Sequence, residues 1–259
     1  MHRLVIVFLA GLVSASDTVG AQSARASVVD PDAVAFLVRI ENVSSGSTLK
    51  LSAGGAVAIP LSPGVWAIHT AANPFFVPGE VEARLGLKGL AEAGSASAFA
   101  ANIHGRPGVR SAGVFNKPLG RRRGMPRGQL DRASSARMLQ RGQHYEFMIS
   151  ARKGDRLSMA MMVAQSNDGF IATSRDGIDL FDAAARPISG DVTSRLSIWD
   201  AGTEVNEEPG AGRNQGLRQG APHAGDPERK PVRPMSEAEF GQLWPATVRI
   251  VRVTITPQP

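Results

Sequence analysis

This sequence predicts a mainly β chain with one or two short helices and long loops, and three observations predict it. Ala35 to Asn42 alternates apolar and polar residues, the two-residue period of a half-buried strand. Met159 to Gln165 is a short apolar run that reads as a fully buried strand. Clusters of Gly, Pro, Ser and Asn separate such runs along most of the chain. The 259 residues suit one large β domain with insertions or two small domains, and a hydrophobic share of 42% is enough for a sizeable core. Aromatic residues make up only 5%, so each Trp and Phe marks the core.

The N-terminus reads as an export signal. Arg3 supplies the positive end, Leu4 to Val13 is a short apolar run, and Val19-Gly20-Ala21 offers a small-residue cleavage site. Residues 1–21 are therefore expected to be a signal peptide cut after Ala21, giving a periplasmic or secreted protein. The apolar run is too short for a comfortable membrane span, and no second run approaches one. With no cysteine in the chain there is no lipid attachment site and no thiol chemistry. Residues 22–33, small and polar, are expected to be a flexible start.

Taken in order, Phe36, Val38 and Ile40 should face the core while Arg39 and Glu41 face water. Leu49, Leu51 and Val57-Ala58-Ile59 suggest short strands around a Gly-Gly turn. A Pro-Gly turn opens the strand through Val65-Trp66-Ala67-Ile68-His69, with Trp66 and Ile68 on one face and His69 on the other. No second His or Cys sits at ligand spacing, so His69 reads as a hydrogen-bonded strand histidine. Between Val81 and Phe99 the period becomes helical through Val81, Leu85, Leu87, Leu90 and Ala91. Gly86, Gly89 and Gly94 divide that stretch into one or two short helices crossing the sheet edge.

Residues 105–141 read as an Arg-rich loop with Arg121, Arg122, Arg123, Arg127, Arg132, Arg137 and Arg141. No aromatic is interleaved from Leu119 to Gln143, which argues against base stacking and nucleic acid. A solvated loop is the plain reading, and contact with surface anions the alternative. Tyr145 to Ile149, Ile178 to Phe181 and Val192 to Asp200 read as strands. Residues 206–233 form a Gly/Pro-rich loop that must pack over the neighbouring acidic end or hang free. Pro234 to Leu243 suggests a short helix. Thr247 to Thr256 reads as a final strand buried on both sides or bulged.

The chemistry gathers at two loops. In Leu196 to Gly210, Leu196, Ile198 and Asp200 share a face and Trp199 takes the other, and then Ala-Gly-Thr-Glu breaks the strand. Asp200 and Glu204 stand four apart across a glycine, so a tight turn can point both carboxylates at one spot. Such a pair repels unless a proton or a cation lies between them, and calcium, which takes oxygen ligands in loose geometry, is the simplest solution. Ser166-Asn167-Asp168-Gly169-Phe170, after the buried Met run, makes Asp168 the natural third carboxylate. Asp176, Asp179, Asp182 and Asp191 read as turn formers more readily than as a second cation site.

In series, Ser166-Asn167-Asp168-Gly169-Phe170, Leu180-Phe181-Asp182, Gly190-Asp191-Val192-Thr193 and Trp199-Asp200-Ala201-Gly202-Thr203-Glu204 resemble the spondin domain. That domain is the adhesion module of F-spondin and mindin, with many bacterial secreted relatives. Ser62-Pro63-Gly64-Val65-Trp66-Ala67, Val38 to Val43 and Val251 to Pro257 fit the bacterial branch, as does the absence of the disulfides that animal relatives carry. The resemblance implies a single antiparallel β-sandwich over residues 34–257, with its short helices at the periphery and a calcium ion held by loops at one end. It assigns Asp168, Asp200 and Glu204 as side-chain ligands and the backbone carbonyl of Ile198 as a further one. Glu204 is a departure, one methylene longer than aspartate.

No Gly-x-Ser-x-Gly elbow, phosphate loop or His-Glu-x-x-His is present, so no catalytic residue is assigned. The leading expectation is an exported calcium-binding adhesion module whose partner is an extracellular or cell-surface protein or glycan. A glycan hydrolase using Asp168, Asp200 or Glu204, and an anion-binding protein using the Arg-rich loop, are the alternatives.

Overall fold

The computed structural model describes residues 32–82, 86–120 and 138–259. The expected signal segment, residues 22–31 of the expected flexible start, Leu85, and the arginines from Arg121 to Arg137 lie outside the described residues.

In chain order the strands are β1 (Val34–Asn42), β2 (Leu49–Lys50), β3 (Ala56–Val57) and β4 (Leu61–His69). Two helices follow, α1 (Leu87–Ala93) and α2 (Ala96–Ile103). The remaining strands are β5 (Val109–Phe115), β6 (His144–Ala151), β7 (Arg156–Val163), β8 (Gly169–Thr173), β9 (Ile178–Asp179), β10 (Gly190–Asp191), β11 (Leu196–Asp200), β12 (Arg233–Pro234) and β13 (Val251–Pro257). Antiparallel pairing joins them into a four-stranded sheet, β10-β13-β1-β6, and a seven-stranded one, β12-β11-β8-β7-β4-β5 with β9 beside β7. A small β2-β3 hairpin stands apart from both. The architecture is a β-sandwich.

Side-chain parity explains which strands alternate in sequence and which do not. On β1, Phe36, Val38 and Ile40 point into the inter-sheet core while Arg39 bonds Glu146 across the outer face. The seven-stranded sheet is covered on both faces. Met159, Met161, Ile171 and Ile198 fill the space between the sheets, whereas Val65, Ala67, Ala160, Ala172, Phe170 and Trp199 face a second core under α1 and α2. A strand buried on both faces loses the apolar–polar alternation, so β7 reads as one run.

The helices do not cross the sheet edge as the sequence suggests; they lie over the outer face of the large sheet. The small side chains Ala67, Ala160 and Ala172 let Leu87, Leu90, Phe99 and Ile103 approach and cover that face. The Glu82 carboxylate accepts the Gly86 and Leu87 amides at the start of α1, and Gly94 (φ 67°) closes it.

Four other expectations change. The first part of the Arg-rich loop is β5, the edge strand beside β4. Val192 to Arg195 is not strand, because the Asp191 carboxylate takes the Thr193 amide at 2.8 Å and a 3-10 turn follows, leaving β11 to start at Leu196. Pro234 to Leu243 holds two 3-10 turns, Met235–Glu237 and Gly241–Leu243, in place of a helix. Thr247–Arg249 is likewise a 3-10 turn, so β13 begins at Val251 and buries only Val251, Val253 and Ile255 on one face.

Gly64 in β4 sits where the layers pinch together. A Cβ there would lie 2.1 Å from the Phe115 ring and 2.4 Å from the Ala160 carbonyl oxygen. Gly64→Ala should therefore destabilise the protein by about 1–3 kcal/mol, the usual range for overpacking. Urea unfolding of the variant, with the slope held equal to that of the parent, measures this, and an unchanged midpoint contradicts the pinch.

Candidate functional site

Two loops meet at one end of the large sheet. β7 ends at Val163, and the Ser166 hydroxyl ties the following turn by donating to the Val163 carbonyl at 2.6 Å and accepting the Gly169 amide at 2.9 Å. β8 then pairs with β11 so that Gly169 lies opposite Asp200. Asp168 thereby stands beside the exit of β11, and the Ala201 amide donates to its carbonyl at 3.3 Å.

Asp168 is completely buried. Its Oδ2 accepts the amides of Thr203 at 2.6 Å and Glu204 at 3.1 Å, with the Thr203 hydroxyl at 3.2 Å. Its Oδ1 is buried and has no partner among the described residues. Asp200, also completely buried, accepts the Gly202 amide on Oδ1 at 2.6 Å. Its Oδ2 accepts Asn206 Nδ2 at 2.6 Å and Arg233 Nη2 at 2.9 Å. Arg233, opposite Asp200 in the β11–β12 register, also reaches Glu228 at 3.0 Å. Gly202 (φ 67°) makes the turn possible, since a Cβ there would lie 2.3 Å from the Lys230 carbonyl oxygen.

The three predicted acids share these loops, yet their carboxylates divide. Asp168 and Asp200 act on each other. Burial first, and then the Asp200 charge, push the Asp168 carboxyl up to about 7 against the pull of its hydrogen bonds. Glu204, 1% exposed, turns elsewhere: Oε1 accepts the Gly225 amide at 3.1 Å and Oε2 has no partner. Burial and the charge of Glu92 raise Glu204 to about 7, with Lys88 and His223 pulling it back. Glu92 is a fully buried carboxylate on α1 that contacts Lys88 and His223. Ile198 lies within β11, paired with Ile171, its side chain in the inter-sheet core. Among the described residues, no three His, Asp or Glu side chains are gathered as a ready set of metal ligands.

The long 206–233 loop packs over the acidic end. Gly210 and Gly216 donate their amides to the carbonyls of Gln165 and Ser166, and Gln215 is completely buried. Glu207 is occupied by Asn167 and Asn214. His69 is a bonded core histidine: a carbonyl only accepts, so Nδ1–H donates to Ala71 at 2.8 Å and Nε2 accepts the Ser158 hydroxyl at 2.8 Å. Burial lowers its pKa, which matches that neutral form. Asp179, Asp182 and Asp191 are separate turn and ion-pair residues.

Glu92, His223 and Arg233 were not predicted. Lys88 and Glu92 stand four apart, a spacing that in sequence reads as a solvated helix pair. Nothing in the composition of 206–233 singles out His223 or Arg233. No family model matches the chain, and no curated protein matches it.

A carboxyl whose pKa is raised on folding keeps its proton longer in the folded state. Its protonated form contributes stability fully below the unfolded value, near 4, and that contribution is lost as pH rises through the folded value, about 7. In chelator, the melting temperature should therefore carry a falling component between pH 4 and pH 7 that is smaller in Asp168→Asn. Parallel melting-temperature profiles for the two proteins across that window would falsify the assignment.

Proposed function

We propose that the chain is an exported, calcium-binding module of the spondin type that serves adhesion or binding at or outside the cell surface, without catalysis. One observation carries this reading: Asp168 Oδ1 is a completely buried carboxylate oxygen with no partner among the described residues, beside a second buried carboxylate, Asp200. An unpaired anionic oxygen in that setting calls for a proton or a cation. The donor set is all oxygen, which suits a hard ion and not a soft one.

Asp168 and Asp200 would hold the ion. Glu204, with one free oxygen on the same loop, would be a third ligand, and the resemblance to spondin domains adds the Ile198 carbonyl. A calcium ion held there would supply positive charge in place of the proton on Asp168. The chain supplies the frame: Asp168 already grips the Thr203 and Glu204 amides, so an ion on Asp168 is felt along the whole 200–206 loop. Rotation of the Glu204 carboxylate from Glu92 toward Asp168 is the movement this reading requires. Export rests on the N-terminal segment, and no helix among the described residues is long and apolar enough to cross a membrane.

The burial of all three acids weighs against a glycan hydrolase. Acid and base in such enzymes flank an open cleft wide enough for a sugar ring, and these carboxylates are at most 1% exposed.

Calcium at about 100 times its dissociation constant should stabilise the protein by about 2.7 kcal/mol. That is a rise of roughly 5–11 °C in melting temperature for a domain of this size. Magnesium should do less, because it demands stricter geometry. Asp168→Asn and Asp200→Ala should each abolish the rise. Asp168→Asn is the cleaner variant, since it leaves the Arg233 partner in place. A calcium response that persists in both variants rejects the site.

A further inference from the structure

A cleft of about 450 Å³ opens on the helix-covered side of the large sheet, with none of the three predicted acids in its lining. That volume lies within the range of roughly 300–1,000 Å³ typical of small-molecule sites. Phe75, Phe76, Val81 and Val109 supply its apolar wall. Val81 is 51% exposed, an apolar side chain left open to water beside buried phenylalanines.

Three charged residues line the same cleft: Glu82 is engaged by the Gly86 and Leu87 amides, whereas the exposed Arg106 and Glu80, of opposite sign, have no side-chain partner among the described residues. They are not paired with each other. The other polar groups in the wall are satisfied: both His69 nitrogens are bonded, and the Asn73 side chain is bonded to Thr173, Ser174 and Phe75. One unpaired cation and one unpaired anion above an apolar wall complement a small zwitterion with an apolar side chain.

The walls are held in place before any ligand arrives. Gly79 and Val232 donate their amides to Val232 and Glu80 carbonyls at 2.8 and 2.9 Å, which pins the turn that carries Glu80. The Val109 amide closes the Arg106 turn at 3.0 Å, and Thr70 ties that turn to β4 through the Gly108 carbonyl at 2.9 Å. Little ordering is left for binding to impose.

We propose that this cleft binds a free apolar α-amino acid, its carboxylate on Arg106, its ammonium on Glu80 and its side chain against the Phe75, Phe76, Val81 and Val109 wall. The site is independent of the calcium reading, although Phe76 packs edge-on to Trp199, the neighbour of Asp200, with ring centroids 5.0 Å apart.

Isothermal titration of the full chain, run in chelator and again in calcium, tests it. The ligands are L-phenylalanine, L-leucine, 3-phenylpropionate, which lacks the ammonium, phenethylamine, which lacks the carboxylate, and N-acetyl-phenylalaninamide, which lacks both charges. A charge-assisted contact of about 1.5 kcal/mol is a factor of roughly ten. L-phenylalanine should thus bind at least about tenfold more tightly than either single-charge analogue. Arg106→Ala should remove about tenfold for phenylalanine and nothing for phenethylamine, and Glu80→Ala should do the same relative to phenylpropionate. Both residues are exposed, so unchanged melting temperatures verify that the variants fold. No heat with either amino acid, equal binding of L-phenylalanine, 3-phenylpropionate and phenethylamine, or preference for the blocked amide overturns the proposal, the last in favour of a peptide. A result seen in chelator stands whether or not calcium binds elsewhere.

Discussion

The grip of the Asp168 carboxylate on the backbone of the next loop holds the acidic end together. One oxygen takes two amides and a hydroxyl from Thr203 and Glu204, residues 35 and 36 positions later in the chain. That contact fixes where β11 ends, because the chain leaving Asp200 has to bend back over the β7–β8 turn. It also fixes where the 206–233 loop begins, since Asn206 and Glu207 fold against Asp200 and Asn167. A carboxylate accepts these amides more strongly than a neutral group does, and burial opposes its charge, so the two effects pull the Asp168 carboxyl in opposite directions.

Burial on both faces is the second constraint. The large sheet carries one core toward the small sheet and another toward α1 and α2. Strand β11 reports to both, with Ile198 in one and Trp199 in the other. Trp199 in turn contacts Phe76, which lines the open cleft. The acidic end and the cleft are thus neighbours through one aromatic pair, and Val232 in the cleft wall directly precedes Arg233 on Asp200.

Where a segment had one wet face, its sequence announced it. Residues 34–42 alternate, and β1 runs over Val34–Asn42. The Met-rich run could be read as buried, but not against what, since nothing in Met159 to Val163 distinguishes a sheet packed on a sheet from one also packed on helices. For that reason the sequence suggests helices at the sheet edge, whereas they cover a face. In the site, Asp168 and Asp200 were legible because strand ends pin them in register. The direction of Glu204 was not, because it depends on Glu92 and on Gly225, where a Cβ would fall 2.6 Å from Glu204 Oε2. Such contacts across more than 20 residues leave no period in a sequence. Arg233 was equally hidden, its role set by the two-residue strand β12 opposite Asp200.

Arg233 raises the question of why a cation is still called for at all. Its guanidinium reaches only one oxygen of Asp200, and it divides its charge between that oxygen and Glu228. Neither contact extends to Asp168, whose Oδ1 is buried without a partner among the described residues while the Asp200 charge acts on the same carboxyl. A proton on Asp168 removes the repulsion, but it leaves at most one negative charge on the pair and brings no positive charge to the other oxygens of the loop. In the proposed calcium-bound form a divalent ion would neutralise both carboxylates, and Arg233 would act as a partial counterweight that limits the excess negative charge when the ion leaves. Under that proposal the arginine would keep the loops folded without the ion, and the ion would tighten an arrangement that already exists.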